Sequence, residues 1–243
     1  MRGTVRSTTN EAKIAPLKAG FGEYFDQLEL VEADLLNEAS ILAACAGSTY
    51  VIHTASPFTF SKEEAEIIKV AVEGSMAVMK ACTAAGVKRC VVTSSVAAIS
   101  AMAKEDSPAA GQEINESHWS NPDRSEGLNG YFKSKTLAEK ACWDYQAAQP
   151  EAQRFEIVVI NPVFIMGPSI CSGDGFSEDY MTKLLDGTKD KIARNAPSWV
   201  DVRDTALAHL KAIQVAEAAN KRVILCACET PLKDVCGYLA KYN

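Results

Sequence analysis

Tyr131 and Lys135 stand four residues apart in the run Tyr131-Phe132-Lys133-Ser134-Lys135. On a helix that spacing puts a phenol and an ammonium on one face. A positive neighbour favours the phenolate and draws a tyrosine down from its ordinary pKa of about 10 toward working pH, which suits proton donation to a carbonyl oxygen. The same spacing also occurs on solvated helix faces, so two further segments matter. Thr93-Ser94-Ser95 follows a β-branched run, and hydroxyls at the carboxyl end of a strand in an open α/β sheet can reach a bound ligand; the plain alternative is a Ser/Thr turn. His53-Thr54-Ala55-Ser56-Pro57 ends another such run, where small residues would let a flat cofactor approach the backbone. The alternative there is a loop with a neutral histidine.

The elements that must position these groups alternate between short β-branched runs and longer helical stretches, the pattern of βαβ units around a parallel sheet. Strands are predicted over 2–6, 28–32, 49–53, 90–93, 155–160 and 222–226. Helices are predicted over 10–19, 37–46, 63–85, 131–149, 177–185, 204–218 and 232–241. Asp34-Leu35-Leu36-Asn37 and Ser61-Lys62-Glu63-Glu64 read as helix starts, the second as a capping box, and Gly86 reads as a helix stop. Val91-Val92 and Ile157-Val158-Val159-Ile160 are continuously apolar, as strands covered on both faces should be. The expected fold is a doubly wound α/β sheet. Residues 102–129, with Pro108, Gly111 and Asn121-Pro122-Asp123, read as a long irregular loop, and such loops tend to be functional.

Composition narrows the partners. Over 243 residues, 25 Lys+Arg against 31 Asp+Glu give a formal net charge of −6, which argues against a nucleic-acid module. No apolar run reaches the roughly 18 residues of a membrane span and the first 30 residues lack a secretory core, so the expected compartment is the cytoplasm. The eight cysteines lie mostly in apolar runs without a CxxC pair and are expected to be reduced, mostly buried thiols.

Taken in order, seven segments resemble the extended branch of the short-chain dehydrogenase/reductase superfamily, the group of dihydroflavonol, cinnamoyl-CoA and methylglyoxal or ketone reductases. They are Arg2–Arg6, Ala33-Asp34-Leu35, His53–Pro57, Val92-Thr93-Ser94-Ser95, Tyr131–Glu139, Asn161-Pro162 with Gly167-Pro168, and Trp199–Asp204. The resemblance implies NADP as cofactor and an aldehyde or ketone as the small-molecule partner, with no metal. It implies Tyr131 as general acid, Lys135 on the nicotinamide ribose beside it, and Ser95 on the substrate carbonyl with Ser94 as second candidate. It further implies Arg6 and Lys13 at the adenosine 2′-phosphate, Asp34 and Leu35 flanking the adenine, and Thr54, Ala55 and Ser56 along the cofactor. Pro162, Val163, Phe164 and Ile165 would pass the nicotinamide, and Ser177 would contact a phosphate. Arg203 and Asp204 would form an ion-paired helix start.

The family's opening strand and Gly-x-x-Gly-x-x-Gly turn have no counterpart: Gly20 and Gly22 follow a helix, and Gly173 and Gly175 come well after a strand. The expectation is therefore a Rossmann-like domain over 1–161 lacking its first strand, with unpaired edges and weakened stability, and a partial substrate lobe over 162–243. A chain truncated at both ends is expected on that basis. Ser100 stands where flavonoid reductases carry a substrate-holding Asn, and Gly127–Gly130 replaces the Asn-Trp-Tyr-Cys-Tyr signature, so a generic carbonyl substrate is expected. Two other functions stay open: a sugar-nucleotide epimerase or 3β-hydroxysteroid dehydrogenase, and a non-catalytic binding or regulatory protein that keeps the fold. The oligomeric state is left open.

Overall fold

The structure is a computed structural model, and it describes residues 1–56, 63–102, 108, 112–123, 130–171, 175–189 and 191–241. Its centre is a parallel sheet of four strands, β3 (Tyr50–His53), β4 (Arg89–Thr93), β5 (Glu156–Pro162) and β8 (Lys221–Leu225), in that spatial order. The middle two strands are the apolar runs read from sequence, and side-chain alternation divides them between two cores. Cys90, Val92, Ile157 and Val159 face α3 (Glu64–Ala85) and α4 (Gly130–Ala148), together with Val78, Cys82 and Cys142. Val91, Val158 and Ile160 face Ala212 of α6 (Val202–Gln214) on the other side. Helices thus cover both faces, and the doubly wound α/β class holds.

β1 (Arg2–Val5) and β2 (Glu29–Glu32) form a separate parallel pair, with α1 (Glu11–Phe21) between them in sequence. This pair stays apart from β3, whose Tyr50 and Ile52 are both 44% exposed. It is tied to the body through α2 (Glu38–Cys45), where the Arg2 guanidinium donates to the carbonyls of Ala44 and Ala46 at 3.0 and 2.8 Å. A third sheet of β6 (Phe164–Met166), β7 (Ser198–Asp201) and antiparallel β9 (Cys228–Glu229) carries α5 (Phe176–Leu185), and α7 (Leu232–Leu239) closes the described chain.

Local signals account for most boundaries. Asn37 caps α2, accepting from Ser40 N at 3.2 Å, and Gly86 ends α3 in the left-handed region at φ 65°. α3 starts at Glu64 behind Glu63, which makes no side-chain cap, and Ser61 and Lys62 of the expected capping box lie outside the described residues with Pro57. At the start of α6, Arg203 pairs with the capping Asp201 at 2.6 Å, and Asp204 adds a weaker attraction. Of the long irregular segment, residues 112–123 contain turns, and 103–107, 109–111 and 124–129 lie outside the described residues. Cys45, Cys82, Cys90 and Cys142 are buried free thiols, while Cys226 and Cys228 are exposed.

Candidate active site

Because α4 opens at Gly130, Tyr131, Lys135 and Glu139 follow at four-residue intervals on one helical stripe. That stripe meets the carboxyl ends of β4 and β5. Ser95, in extended backbone at φ −163°, caps a short 3-10 turn over Val96–Ala98 by accepting from Ala97 N at 3.1 Å. Its hydroxyl also hydrogen-bonds the Tyr131 phenol. The Lys135 ammonium lies over the Tyr131 ring, 5.8 Å from its centroid. The chain therefore brings Ser95, Tyr131 and Lys135 together from two elements 36 residues apart in sequence at their nearest.

Electrostatics at this spot differ from the sequence reading. Burial pushes the Lys135 ammonium down from its ordinary 10.5 to about 8, with Glu139 pulling partly the other way. Burial also raises the Tyr131 phenol, against the lowering effect of the Ser95 hydrogen bond. Desolvation, which sequence spacing does not report, dominates at the phenol. His53, buried at the end of β3, is pushed down to about 4 by burial and then by the Lys135 charge; its Nε2 lies 3.3 Å from Ser75 Oγ.

The two neighbouring serines have different partners. Ser94 Oγ donates to Glu139 Oε2 at 2.5 Å, and Asn161 Nδ2 donates to the same oxygen at 2.8 Å and to Ser95 O at 3.1 Å. Ser94 is thereby committed to a buried carboxylate, leaving Ser95 as the hydroxyl beside Tyr131. Glu139, Asn161 and Arg222 had no role assigned from sequence. The available signal was a Glu four residues past Lys135, flanked by Ala138 and Cys142 on the helix side that packs inward.

The remaining cofactor candidates fall into separate groups. Arg6, just past β1, and Lys13, on α1, are exposed, and among the described residues neither side chain has a hydrogen bond or ion pair. Asp34 closes a turn, its Oδ1 accepting from Leu36 N at 2.9 Å. Leu35 packs on the main core and so closely on α3 that a Cβ at Gly74 would meet its Cβ at 3.0 Å. Thr54 and Ala55 are exposed past β3, and Ser56 is half-buried. Pro162 is buried at the end of β5 and Val163 donates to Leu225 O at 3.1 Å, while the Phe164 ring is taken up by Trp199 and Tyr180, 5.3 and 5.5 Å between centroids. Ile165 and Ser177 line one cavity of about 830 Å³ with Met166, Phe176, Met181 and Val202. Ser95, Tyr131 and Lys135 are not among its lining residues.

The profile of the NAD dependent epimerase/dehydratase family matches residues 2–227. Cinnamoyl-CoA reductase 1 of Petunia hybrida is 34% identical over 245 residues, a match spanning 100% of this chain and 69% of that protein. The NADPH-dependent methylglyoxal reductase of Saccharomyces cerevisiae is 34% identical over 205 residues, 78% of this chain and 59% of that one. Among solved structures, the yeast methylglyoxal/isovaleraldehyde reductase complexed with NADPH superposes with a TM-score of 0.77 at 28% identity, covering 96% of this chain and 72% of that one. Vestitone reductase from alfalfa (Medicago sativa) gives 0.77 at 29% identity, over 99% and 73%. The NADPH in the yeast structure is the cofactor that the sequence reading named. With its ordered segments, its two-sided parallel sheet and a family match running over nearly its whole length, this chain belongs to the NAD dependent epimerase/dehydratase family.

Proposed function

We propose that the protein reduces an aldehyde or ketone to the alcohol with NADPH, and that Ser95, Tyr131 and Lys135 carry the reaction. The observation that carries this reading is the junction of the Ser95 hydroxyl, the Tyr131 phenol and the Lys135 ammonium at the ends of β4 and α4. In this reading residues 1–161 serve the cofactor and 162–243 the substrate side.

The residues present fit the two ends of a dinucleotide better than its middle. Lys135 offers a buried cation for the nicotinamide ribose, and Arg6 and Lys13 offer free cations for a 2′-phosphate, so NADPH is favoured over NADH. Among the described residues, glycine does not supply a phosphate cradle. A Cβ at Gly20 would lie 2.1 Å from Ile170 O, so that glycine serves a close chain crossing, and a Cβ at Gly175 would lie 3.0 Å from the Glu178 carboxylate, which repels phosphate. When bound, the cofactor supplies the hydride that the carbonyl carbon accepts. Ser95 and Tyr131 hold the carbonyl oxygen by two donated hydrogen bonds, and Tyr131 passes its proton to that oxygen as the C=O bond becomes C–O. Lys135 stabilises the phenolate left behind, and a proton from water restores the phenol.

Calorimetric titration of the chain with NADPH and NADH, followed by methylglyoxal- and isovaleraldehyde-dependent NADPH consumption, tests the reading. The expected result is tighter binding of NADPH and consumption that requires the carbonyl. A folded chain that binds neither nucleotide overturns it, in favour of the non-catalytic fold.

A further inference from the structure

Glu139 is the best-satisfied buried carboxylate of the described residues and sits one helical turn beyond Lys135. Its side chain has no exposure, yet it gathers four segments. Ser94 from the end of β4 donates at 2.5 Å, Asn161 from β5 at 2.8 Å, Arg222 Nε from β8 at 2.6 Å, and Trp143 Nε1 from its own helix at 3.4 Å. Arg222 is held in turn. Its Nη1 donates to the carbonyls of Glu116 and His118 at 2.8 and 2.6 Å, and its guanidinium lies 3.7 Å from the centroid of the Trp119 ring.

A buried ion pair is poor value as a device for stability, because desolving both charges offsets most of their attraction and apolar residues of similar size usually do as well. The arrangement is better explained by what it fixes. Through Ser94 and Asn161 it locks the turn that carries Ser95, since Asn161 Nδ2 bridges Glu139 and the Ser95 carbonyl. Through its place on α4 it sets a fixed negative charge behind Lys135.

We propose that Glu139, clamped by Arg222, is the positioning residue of the site: it holds the Ser94–Ser95 turn against α4 and sets its carboxylate one helical turn behind the Lys135 ammonium. Glu139 touches no reacting atom and acts through Ser95 and Lys135. This rests on the reading of Ser95, Tyr131 and Lys135 as the reaction site. The ionisable groups around Lys135 are Tyr131 and Glu139 on its own helix and His53 at the end of β3; those around Glu139 are Lys135, Arg222 on β8 and Cys142 on α4. His53 is uncharged at neutral pH, so the carboxylate is the group that balances Lys135 from behind.

The test separates charge from position. The Lys135 titration is followed by heteronuclear NMR of the full chain with isotopically labelled lysine, its signal assigned by loss in Lys135→Met. Glu139→Gln is expected to move that titration about 1–3 pH to the acid side, while Glu139→Asp, which keeps the charge on a shorter arm, leaves it near the wild-type position. Both variants are expected to lower kcat at least about tenfold with little change in KM for the carbonyl, because the Ser95 turn shifts. A folded Glu139→Gln chain whose Lys135 titrates as in the wild type overturns the proposal. If Glu139→Gln does not fold, wild-type kcat in Glu139→Asp overturns it. Failure of the reductase reading shows separately, as absence of NADPH consumption by the wild type, and leaves the NMR result standing on its own.

Discussion

Replacing Lys135 with Met is predicted to make the protein more stable while abolishing its proposed chemistry. Burial holds the ammonium at about 8 in the folded chain against 10.5 when free. At about 1.36 kcal/mol per pH step, that gap of 2.5 corresponds to about 3 kcal/mol of stability forgone at neutral pH. The sign follows from proton counting. Between pH 8 and 10.5 the unfolded chain holds the proton that the folded chain has lost, so stability rises with pH across that window, and below pH 8 the deficit is complete. Met keeps an unbranched stem of similar size without the charge. It also loses the ammonium's contact with the Tyr131 ring, worth about 0.5–2 kcal/mol, which leaves a net gain of about 1–3 kcal/mol at pH 7. For a chain of this length that is a rise in Tm of roughly 2–12 °C. Urea unfolding followed by the fluorescence of Trp119, Trp143 and Trp199, on both proteins from pH 7 to 10.5, measures the difference and cancels the titrations they share. The advantage of the variant should be largest at pH 7 and fall by about 3 kcal/mol toward pH 10.5. A difference that stays flat with pH, or a wild type more stable at pH 7, refutes the reasoning.

Other perturbations reach separate parts of the structure. Arg89, buried on β4, donates to the carbonyls of Ala212, Ile213 and Val215 at the end of α6 and pairs with Glu156 at 2.7 Å; Arg89→Met should destabilise by roughly 2–4 kcal/mol in urea unfolding. Ile160→Ala, in the core beneath α6, should lose about 2–5 kcal/mol by the same measurement. Arg6→Ala and Lys13→Ala should each cut the preference for NADPH over NADH about tenfold by calorimetry, as expected for loss of a charged contact to phosphate. A thiol reagent should modify Cys226 and Cys228 in the native chain and spare Cys82 and Cys142 until it unfolds, because the latter are buried and their thiols are pushed up, that of Cys142 to about 12.

What was legible in the sequence is what rests on local pattern. Val91-Val92 and Ile157–Ile160 read as covered strands because both their faces are apolar, and the structure shows the two cores that require it. Tyr131 and Lys135 could be paired by helical spacing alone. The small sheet was not legible: β6 and β7 have three and four residues, β9 has two, and their partners lie tens of residues away, so no period could establish itself. The division of labour between Ser94 and Ser95 was also hidden, because it depends on which hydroxyl reaches Glu139, a residue 45 positions from Ser94. So was the balance at Tyr131, where burial outweighs what charge spacing predicts.

The role of Tyr131 is measured by the aldehyde-dependent rate of NADPH consumption by the wild-type chain and by Tyr131→Phe, with NADPH affinity measured beside it. Tyr131→Phe is expected to lose about 10²–10⁴ in kcat from removal of one hydroxyl, with the dissociation constant for NADPH unchanged. A Tyr131→Phe chain that keeps the wild-type rate contradicts that role.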